Sequence, residues 1–568
     1  MGQPATPRRP RSVRPGVFYP AAAIIVGFVV VTMAAPETAF AWLSAAQHSI
    51  VSGLSWYYVV ITSGFVVFAL WAVLGHTGDI RLGPDDEEPE FRLGSWFAML
   101  FAAGMGIGLM FWGVAEPLHH FAGIPNRATG IDGTAEATAE GALLQTLMHW
   151  GLHAWAIYAV VGLAVAYVVH RRNRPVSIRW VLEPLLGQRR VRGPLGDVVD
   201  VAAVVGTVFG VATSLGLGVS QIAAGVEFLD LVSAPGVALQ VLFIGLITGI
   251  AIISVMTGLH LGIRWLSGVN LGIAATLLVF VAIAGPTLFL LRESVQLVGA
   301  YAQNLIQMSF STTAMAGAQG VEWQGWWTVF YWCWWISWAP FVGVFIARIS
   351  RGRSVRTFIS GVLLVPTAVT LLWFTVFGGG ALWEQLQREG SEFHGGLLGP
   401  DGSVSQTDPL YQFLSGLPMG TVAIVAALVL VVLFFVTSSD SGSLVADMLA
   451  SGGNPDPPVW SRVFWSVLEG AVAVALLTAG GDSGLMALRY AAVIIALPFS
   501  VVMVAMCVAM VRSFREERRQ QLRLQRGLQR EELAARVWQN LAEEGLIGET
   551  GPPRPGDDPS PGHRGSPP

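Results

Sequence analysis

The amino-acid sequence predicts an all-α integral membrane protein with twelve transmembrane helices. Of its 568 residues, 53% are hydrophobic and only 12% are charged, whereas about a quarter of the residues in a soluble domain are charged. The apolar residues form runs of twenty or more, long enough to cross a hydrocarbon core of about 30 Å. A soluble multidomain enzyme is therefore excluded, and so is an outer-membrane barrel, whose strands would be ~10 residues long.

The predicted spans can be tested against the placement of the arginines. The spans are 18–41, 54–74, 94–118, 140–169, 198–226, 234–258, 267–292, 325–348, 357–382, 420–447, 459–480 and 484–511. With this count, all but four of the 33 basic residues share one side of the membrane, as the positive-inside rule expects. The exceptions are Arg127, Arg292, Arg388 and Arg489. We therefore expect a multi-pass protein of the cell inner (plasma) membrane with both termini in the cytoplasm.

The segments outside the spans have distinct compositions. Residues 1–17 form a basic cytoplasmic N-terminus, and 18–93 contain two peripheral helices. The polar, mildly amphipathic stretch 293–324 predicts an interfacial element on the outer side. An arginine-rich helix to about Leu541 and a disordered tail are expected in 512–568.

The basic residues are all arginine, which excludes two functions. A P-loop ATPase needs a lysine to reach the nucleotide phosphates, and a retinal pigment needs one for its Schiff base. The two cysteines, Cys333 and Cys507, lie inside apolar runs, so neither a disulfide framework nor a zinc site is indicated.

Span three contains glycine at three alternate positions, Gly104, Gly106 and Gly108. Each weakens a helix by about 1 kcal/mol relative to alanine. In secondary transporters, broken membrane helices expose N–H groups to an anionic substrate group and carbonyls to a coupling cation. Close helix packing is the alternative, although alternate glycines fit it poorly.

Two aromatic stripes accompany this break. Trp334, Trp335 and Trp338 share a helix face in span eight, while Trp326 and Trp327 before them are typical of an interfacial belt. Span four contributes Trp150, Trp155 and Tyr158. A quaternary ammonium cannot donate hydrogen bonds and binds aromatic faces instead. The two stripes therefore favour a cation cage over ordinary packing.

Span ten carries a dense run of hydroxyls, including Thr437 and Ser438, beside Asp440. Polar groups within a membrane helix are functional candidates, and hydroxyl and carbonyl oxygens suit Na⁺. The alternatives are helix–helix hydrogen bonding and, for Asp440, positioning of the helix. Glu116, His119, His120, His149 and His153 are interpreted as structural, because two histidines at i,i+4 are weak evidence for a metal.

Three motifs resemble the betaine/carnitine/choline transporter family. They are Gly104–Pro117, Trp332–Arg353 and the Phe-Phe-Val-Thr-Ser-Ser-Asp-Ser-Gly-Ser run that begins at Phe434. The resemblance implies a LeuT-like core in which 94–292 (spans three to seven) and 325–511 (spans eight to twelve) form two inverted five-helix repeats. It also implies a homotrimer. Spans three and eight would then face each other at the repeat interface, where transporters bind their substrate.

The resemblance also implies roles for individual residues. The ammonium cage would comprise the six aromatic residues of spans four and eight, and the substrate carboxylate would contact the backbone of Ala103, Gly104, Met105 and Gly106. One Na⁺ site would comprise Ala102, Met105, Phe434, Thr437 and Ser438. A second would lie near Thr207 and Phe341, but Val211 stands where sodium-coupled relatives carry another hydroxyl, for which Ser214 is a possible substitute. Gly108 resembles the glycine-betaine type, because choline and carnitine types tend to carry aspartate there.

The sequence thus predicts a transporter, not an enzyme, that imports glycine betaine or a related trimethylammonium or sulfonium osmolyte with Na⁺. Na⁺ is the coupling ion, and no organic cofactor or nucleic acid is implied. The segment 512–541 resembles the basic cytoplasmic helix with which relatives sense osmotic stress. Its arginines suit contact with anionic lipid, and the alternative is that they form only a positive-inside anchor. A Na⁺-independent carnitine/choline-type exchanger and a betaine-binding osmosensor remain alternatives.

Overall fold

The computed structural model describes residues 13–104, 106–123, 135–257, 260–388, 396–399 and 402–544. The predicted disordered tail, most of the basic N-terminus and Met105 lie outside these residues. The described chain is helical and contains no β-strand, apart from one isolated bridge between Arg81 and Ser354. This confirms the predicted all-α class.

The described α-helices follow one another in chain order. They are α1 (Pro15–Ala34), α2 (Pro36–Leu74), α3 (Leu93–Gly104), α4 (Ile107–Ala122), α5 (Ala135–Trp150), α6 (Leu152–Ala166), α7 (Glu183–Leu186), α8 (Gln188–Arg192), α9 (Pro194–Phe228), α10 (Val237–Thr257), α11 (His260–Ala284), α12 (Thr287–Ser309), α13 (Gly317–Trp326), α14 (Thr328–Arg348), α15 (Val355–Phe374), α16 (Gly380–Arg388), α17 (Pro409–Ser415), α18 (Gly420–Ala450), α19 (Val459–Gly480) and α20 (Gly484–Glu543).

Ten helical runs among the described residues are long and apolar enough to cross a membrane, and eleven if α11 and α12 count as one bent span. The third predicted span is not among them because it is divided into α3 and α4, of 12 and 16 residues. The count of twelve spans and their inverted repeats therefore remain predictions.

Two predicted spans extend across a helix break at a proline. The first span was expected to reach residue 41, but α1 ends at Ala34 and α2 begins at Pro36. The seventh was expected to reach residue 292, but α11 ends at Ala284 and α12 turns away by 111°. Proline explains both, because it disfavours helical geometry in the residue before it. The apolar run continues across each break, so hydropathy alone does not detect it.

The helices differ in how much of their membrane-crossing length is buried. The buried share is 94% for the run that ends with α14, 89% for the run containing α5 and α6, and 83% for α9. It is only 28% for α1 and 22% for α10. A helix that is apolar all round and buried forms the core of a bundle. The core thus contains the predicted aromatic stripes, on α5, α6 and α14.

A buried ion-pair cluster holds the start of α9, in a segment predicted to be cytoplasmic. Asp200 accepts hydrogen bonds from Arg179 Nε and Ser177 Oγ, both at 2.5 Å, and from the Arg179 backbone N–H at 3.0 Å. Asp197 Oδ1 accepts from Arg179 Nη1 at 2.6 Å and from Arg14 Nε at 2.7 Å. The cluster therefore connects the N-terminal segment to the loop before α9.

The chain divides into two compact units, residues 1–510 and 511–568. In the second unit, helix α20 continues to Glu543, over the segment 512–541 for which a helix was predicted. Its side chains form i,i+4 ion pairs, between Arg512 and Glu516 at 3.6 Å and between Arg536 and Glu532 at 2.8 Å. Such exposed pairs add only a few tenths of a kcal/mol each.

Candidate functional site

The predicted break in span three is present. Helix α3 ends at Gly104 and α4 begins at Ile107, with Gly106 outside helical geometry at φ −149° and ψ −142°. Ala102, Ala103 and Gly104 are described only as helical backbone, and Met105 lies outside the described residues. The carboxylate and Na⁺ contacts predicted for these four positions therefore stay predictions.

Gly106 lies where the break meets two other predicted parts of the site. A methyl group at Gly106 would lie 3.8 Å from Ser438 Oγ and 4.0 Å from Trp338 Cη2. The first atom belongs to the hydroxyl run on α18, and the second belongs to the aromatic stripe on α14. The start of α4 thus lies beside both a candidate ion ligand and a candidate cage residue.

The two aromatic stripes pack against each other in the core. The rings of Trp334 and Trp335 stack with centroids 4.6 Å apart, and Trp150 meets Trp335 edge-on at 4.8 Å and Trp334 at 6.3 Å. Tyr158 lies 6.2 Å from Trp335. These distances fall in the range of favourable aromatic pairs.

The stripes also extend to the remaining predicted cage residues. Trp338 lies 6.5 Å from Tyr158, and Trp155 lies 5.5 Å from Tyr158. All six predicted cage residues are at most 5% exposed. Tyr158 Oη, Trp334 Nε1 and Trp338 Nε1 are buried without a hydrogen-bond partner among the described residues. Each of these groups therefore retains a donor for a bound polar group.

Gly108 lies directly against two of these rings. A methyl group at this position would lie 2.6 Å from Trp150 Cη2 and 3.1 Å from Trp334 Cη2. Ordinary carbon contacts are about 3.5–4.0 Å. Any side chain at residue 108, aspartate included, must therefore displace an indole.

Glu116 anchors the aromatic cluster from the predicted outer side. Its Oε2 accepts hydrogen bonds from Trp150 Nε1 and Tyr331 Oη, both at 2.6 Å, and its Oε1 lies 2.6 Å from His149 Nδ1. Trp335 Nε1 donates to the His149 carbonyl at 3.0 Å. The carboxylate therefore fixes the orientation of Trp150 and connects α4, α5 and α14.

The sequence match extends over almost the whole of this architecture. The model of the betaine/carnitine/choline family transporter matches residues 16–519. The chain belongs to the betaine/carnitine/choline transporter family. An uncharacterized transporter of Mycobacterium tuberculosis is 51% identical, over 89% of this chain and 83% of that protein. Glycine betaine transporter 1 of Vibrio parahaemolyticus is 42% identical, over 88% and 94%. Glycine betaine transporter OpuD of Bacillus subtilis is 41% identical, over 89% and 95%.

In this member of the betaine/carnitine/choline family, His149 and His153 lie one helical turn apart, but each contacts other side chains. Gln145 Nε2, which can only donate, lies 3.1 Å from His149 Nε2. This assigns the proton of His149 to Nδ1, toward Glu116. His153 stacks on Trp332 with ring centroids 5.9 Å apart.

Glu116, His120 and His149 place their ligand atoms within 4.8 Å of one another, close enough to hold a metal ion. His120 Nε2 lies 3.3 Å from Glu116 Oε1. Oε2 of Glu116 already accepts hydrogen bonds from Trp150 and Tyr331, Oε1 has His149 Nδ1 as its partner, and His149 Nε2 lies 3.0 Å from Thr328 Oγ1. These contacts favour a hydrogen-bond network over a metal site, in line with the structural interpretation of these residues.

The hydroxyls of the two predicted Na⁺ sites have different surroundings. Thr437 Oγ1 donates to the carbonyls of Leu433 and Phe434, at 2.9 and 3.1 Å. It remains half-buried, like Ser438. At the second site, Thr207 Oγ1 donates to the Ala203 carbonyl at 2.8 Å.

The other residues named for the second site are buried. Ser214 Oγ donates to the Gly210 carbonyl at 3.2 Å within its own helix. A methyl group at Gly442 would lie 2.7 Å from Val211 Cγ2, so Val211 is packed against α18. Phe341 is 3% exposed, and its ring lies 5.6 Å from that of Trp338.

Sequence reasoning missed two side chains that bind the carbonyls of α4 just after the break. Trp373 Nε1 donates to the Leu109 carbonyl at 3.2 Å, and Gln221 Nε2 donates to the Met110 carbonyl at 3.0 Å. Both residues are buried. An amide within predicted span five was a visible signal, because polar groups in membrane helices are uncommon.

Proposed function

We propose that this protein imports glycine betaine, or a related trimethylammonium or sulfonium compatible solute, by Na⁺-coupled symport with alternating access. The family membership supports transport of this class of solute, and the names of the Vibrio and Bacillus relatives favour glycine betaine. The observation that carries the proposal is the position of Gly106, beside Ser438 and Trp338.

The aromatic cluster suits the cationic end of such a solute. A trimethylammonium group offers no hydrogen-bond donor, so indole faces recognise it by cation–π attraction, worth about 2 kcal/mol or more when desolvated. The buried hydroxyl of Tyr158 and the indole N–H groups of Trp334 and Trp338 are available to the anionic end or to a bridging water. The cluster therefore combines recognition of both ends within one buried region.

The ion is assigned to the neighbouring hydroxyls of α18. Ser438 Oγ faces the break, and Thr437 lies on the same half-buried turn. With carbonyls from the end of α3, such oxygens suit a hard monovalent cation. Sodium there would hold α18 against the break, while the osmolyte holds α6 and α14 against it.

Further parts of the proposal concern assembly and regulation. The protein is proposed to be a homotrimer in the inner membrane with both termini in the cytoplasm. Its α20 carries many arginines beyond residue 511, and each adds about 1 kcal/mol of attraction when it lies near an anionic lipid surface. We assign this segment to osmotic regulation of uptake.

Radiolabelled glycine betaine uptake into proteoliposomes tests the function. An inward Na⁺ gradient is compared with K⁺ at equal osmolality. Accumulation that requires Na⁺ supports symport. Uptake that does not depend on Na⁺ but requires betaine inside the vesicle indicates an exchanger. Binding without uptake under either gradient indicates the osmosensor instead.

Two variants test the assigned residues. Trp338→Leu is expected to weaken betaine affinity at least tenfold, whereas Trp42→Leu, the same change at a position 67% exposed, is expected to leave it unchanged. Ser438→Ala is expected to raise the Na⁺ concentration needed for half-maximal uptake. Its matched control is Ser49→Ala, whose hydroxyl only donates to the Ala45 carbonyl of its own helix. Unaltered kinetics in Trp338→Leu or Ser438→Ala would remove that residue from the site.

A further inference from the structure

Arg489 lies near the start of α20 and is buried among aromatic rings. Its guanidinium carbon is 4.4 Å from the ring centroid of Phe330, 4.7 Å from that of Trp326, and 5.6 Å from those of Trp112 and Trp327. The residue is only 6% exposed, and Nη2 donates to the Trp326 carbonyl. The sequence predicted it to be one of four arginines on the outer side.

This environment differs from that of Arg179, another buried arginine. Arg179 is neutralised by Asp197 and Asp200, at 2.6 and 2.5 Å. Among the described residues, Arg489 has rings and a carbonyl as its close partners, and burying a charge that no hydrogen-bonded carboxylate neutralises is expensive. Glu116 interacts with it electrostatically, but that carboxylate is hydrogen-bonded to Trp150 and Tyr331.

The position of Arg489 is between a surface cavity and the aromatic cluster. The cavity is lined by the end of α4, by the segment between α12 and α13, and by α13. Two rings that surround Arg489, those of Trp326 and Trp327, form part of its wall. On the other side, Phe330 stacks on Trp334 with ring centroids 5.6 Å apart. The guanidinium therefore lies against two rings that line the cavity and against a third ring that stacks on the aromatic cluster.

We infer that Arg489 selects solutes that carry a carboxylate. The inference rests on the proposed function, and it deepens it by assigning the substrate class to one side chain. The guanidinium repels a simple cation such as choline or tetramethylammonium. It attracts the carboxylate of a zwitterion, for which its planar set of N–H donors is well suited.

The size of the expected effect follows from Coulomb's law. A unit charge about 8 Å away in an effective dielectric of about 20 changes an equilibrium by about thirtyfold. Removal of the guanidinium should therefore change the selectivity between a zwitterion and a cation by tenfold or more.

The test measures two constants for the full-length protein in proteoliposomes. One is kcat/KM for glycine betaine uptake, and the other is the inhibition constant of tetramethylammonium. In Arg489→Gln we expect kcat/KM for betaine to fall and the inhibition constant of tetramethylammonium to fall as well. The selectivity ratio, which is kcat/KM for betaine divided by the reciprocal of that inhibition constant, should therefore fall at least tenfold. Arg489→Lys keeps the charge and should retain most of the selectivity. Arg292→Gln is the matched control, since Arg292 is exposed.

A merely structural role gives a different pattern. Damage to the fold weakens the interaction with both compounds, whereas loss of a selective charge moves them in opposite directions. An unchanged ratio in folded Arg489→Gln overturns the inference and leaves the proposed function intact. If the wild type neither binds nor transports betaine, the proposed function fails and the inference with it. Arg489→Met, which leaves no buried amide unpaired, provides the same measurement if Arg489→Gln does not fold.

Discussion

The substitution Gly108→Ala tests whether the aromatic cluster binds the substrate. The added methyl group would lie 2.6 Å from Trp150 Cη2 and 3.1 Å from Trp334 Cη2. Normal contact requires about 3.5–4.0 Å, so the edge of Trp150 must move by roughly 1 Å. Its other edge is held by the 2.6 Å hydrogen bond from Nε1 to Glu116. The ring therefore cannot retreat freely.

The expected loss of affinity follows from this crowding. Overpacking of a well-packed core costs about 1–3 kcal/mol. In the free variant, Trp150 moves away from the added methyl group. A ligand that needs Trp150 in its wild-type position must push it back against that methyl group, so the free energy of overpacking opposes binding. Because 1.4 kcal/mol is a factor of ten, KM for glycine betaine should rise by about five- to a hundredfold. Concentration-dependent uptake into proteoliposomes measures this value.

The matched control is Gly249→Ala on α10, where a methyl group would meet no atom within 4 Å. Both changes lie in helices and gain similar helix propensity, about 1 kcal/mol, so the control separates crowding from that gain. Gly249→Ala should leave KM unchanged. A wild-type KM in folded Gly108→Ala would refute the assignment of Trp150 and Trp334 to the substrate site.

Two further changes test the contacts that support the site. Glu116→Gln replaces charged hydrogen bonds, worth about 1.5–3 kcal/mol each, by neutral ones worth about 0.5–1.5 kcal/mol each. It should therefore lower both the melting temperature in detergent and the affinity for betaine. The control Glu37→Gln, at an exposed position, should change neither. Asp200→Asn breaks the buried ion pair with Arg179, which costs about 3–5 kcal/mol. It should lower the melting temperature without raising the KM of the folded protein for betaine. Equal melting temperatures for Asp200→Asn and the exposed control Asp86→Asn would contradict this.

The helices were predictable because membrane spans are long and each satisfies its own backbone hydrogen bonds. The break at Gly106 was also predictable, since alternate glycines are a local signal. The break between α11 and α12 was missed because Gly285 and Pro286 interrupt an apolar run without changing its hydropathy.

The contacts of Glu116 and Arg489 could not be predicted from the sequence. Glu116 meets His149 across 33 residues and Tyr331 across 215, and no periodicity records such pairings. Arg489 is a single charge in an apolar span, so counting assigned it to the outer side. Only the packing of α4, α14 and α20 reveals that it lies among rings.

The geometry at Gly106 has a thermodynamic consequence for the proposed symport. If Na⁺ binds at Ser438 and the osmolyte at Trp338, both order the same junction between α3 and α4. The ligand that binds first then supplies most of the free energy needed to order this junction, so the second ligand binds more tightly. Linkage requires the two effects to be equal. Saturating Na⁺ should therefore lower the dissociation constant of glycine betaine by a certain factor, and saturating betaine should lower the dissociation constant of Na⁺ by the same factor. In Ser438→Ala, both factors should approach one. Isothermal titration of the purified protein measures each pair. Independent binding, with both factors equal to one in the wild type, would mean that the two ligands do not share this junction.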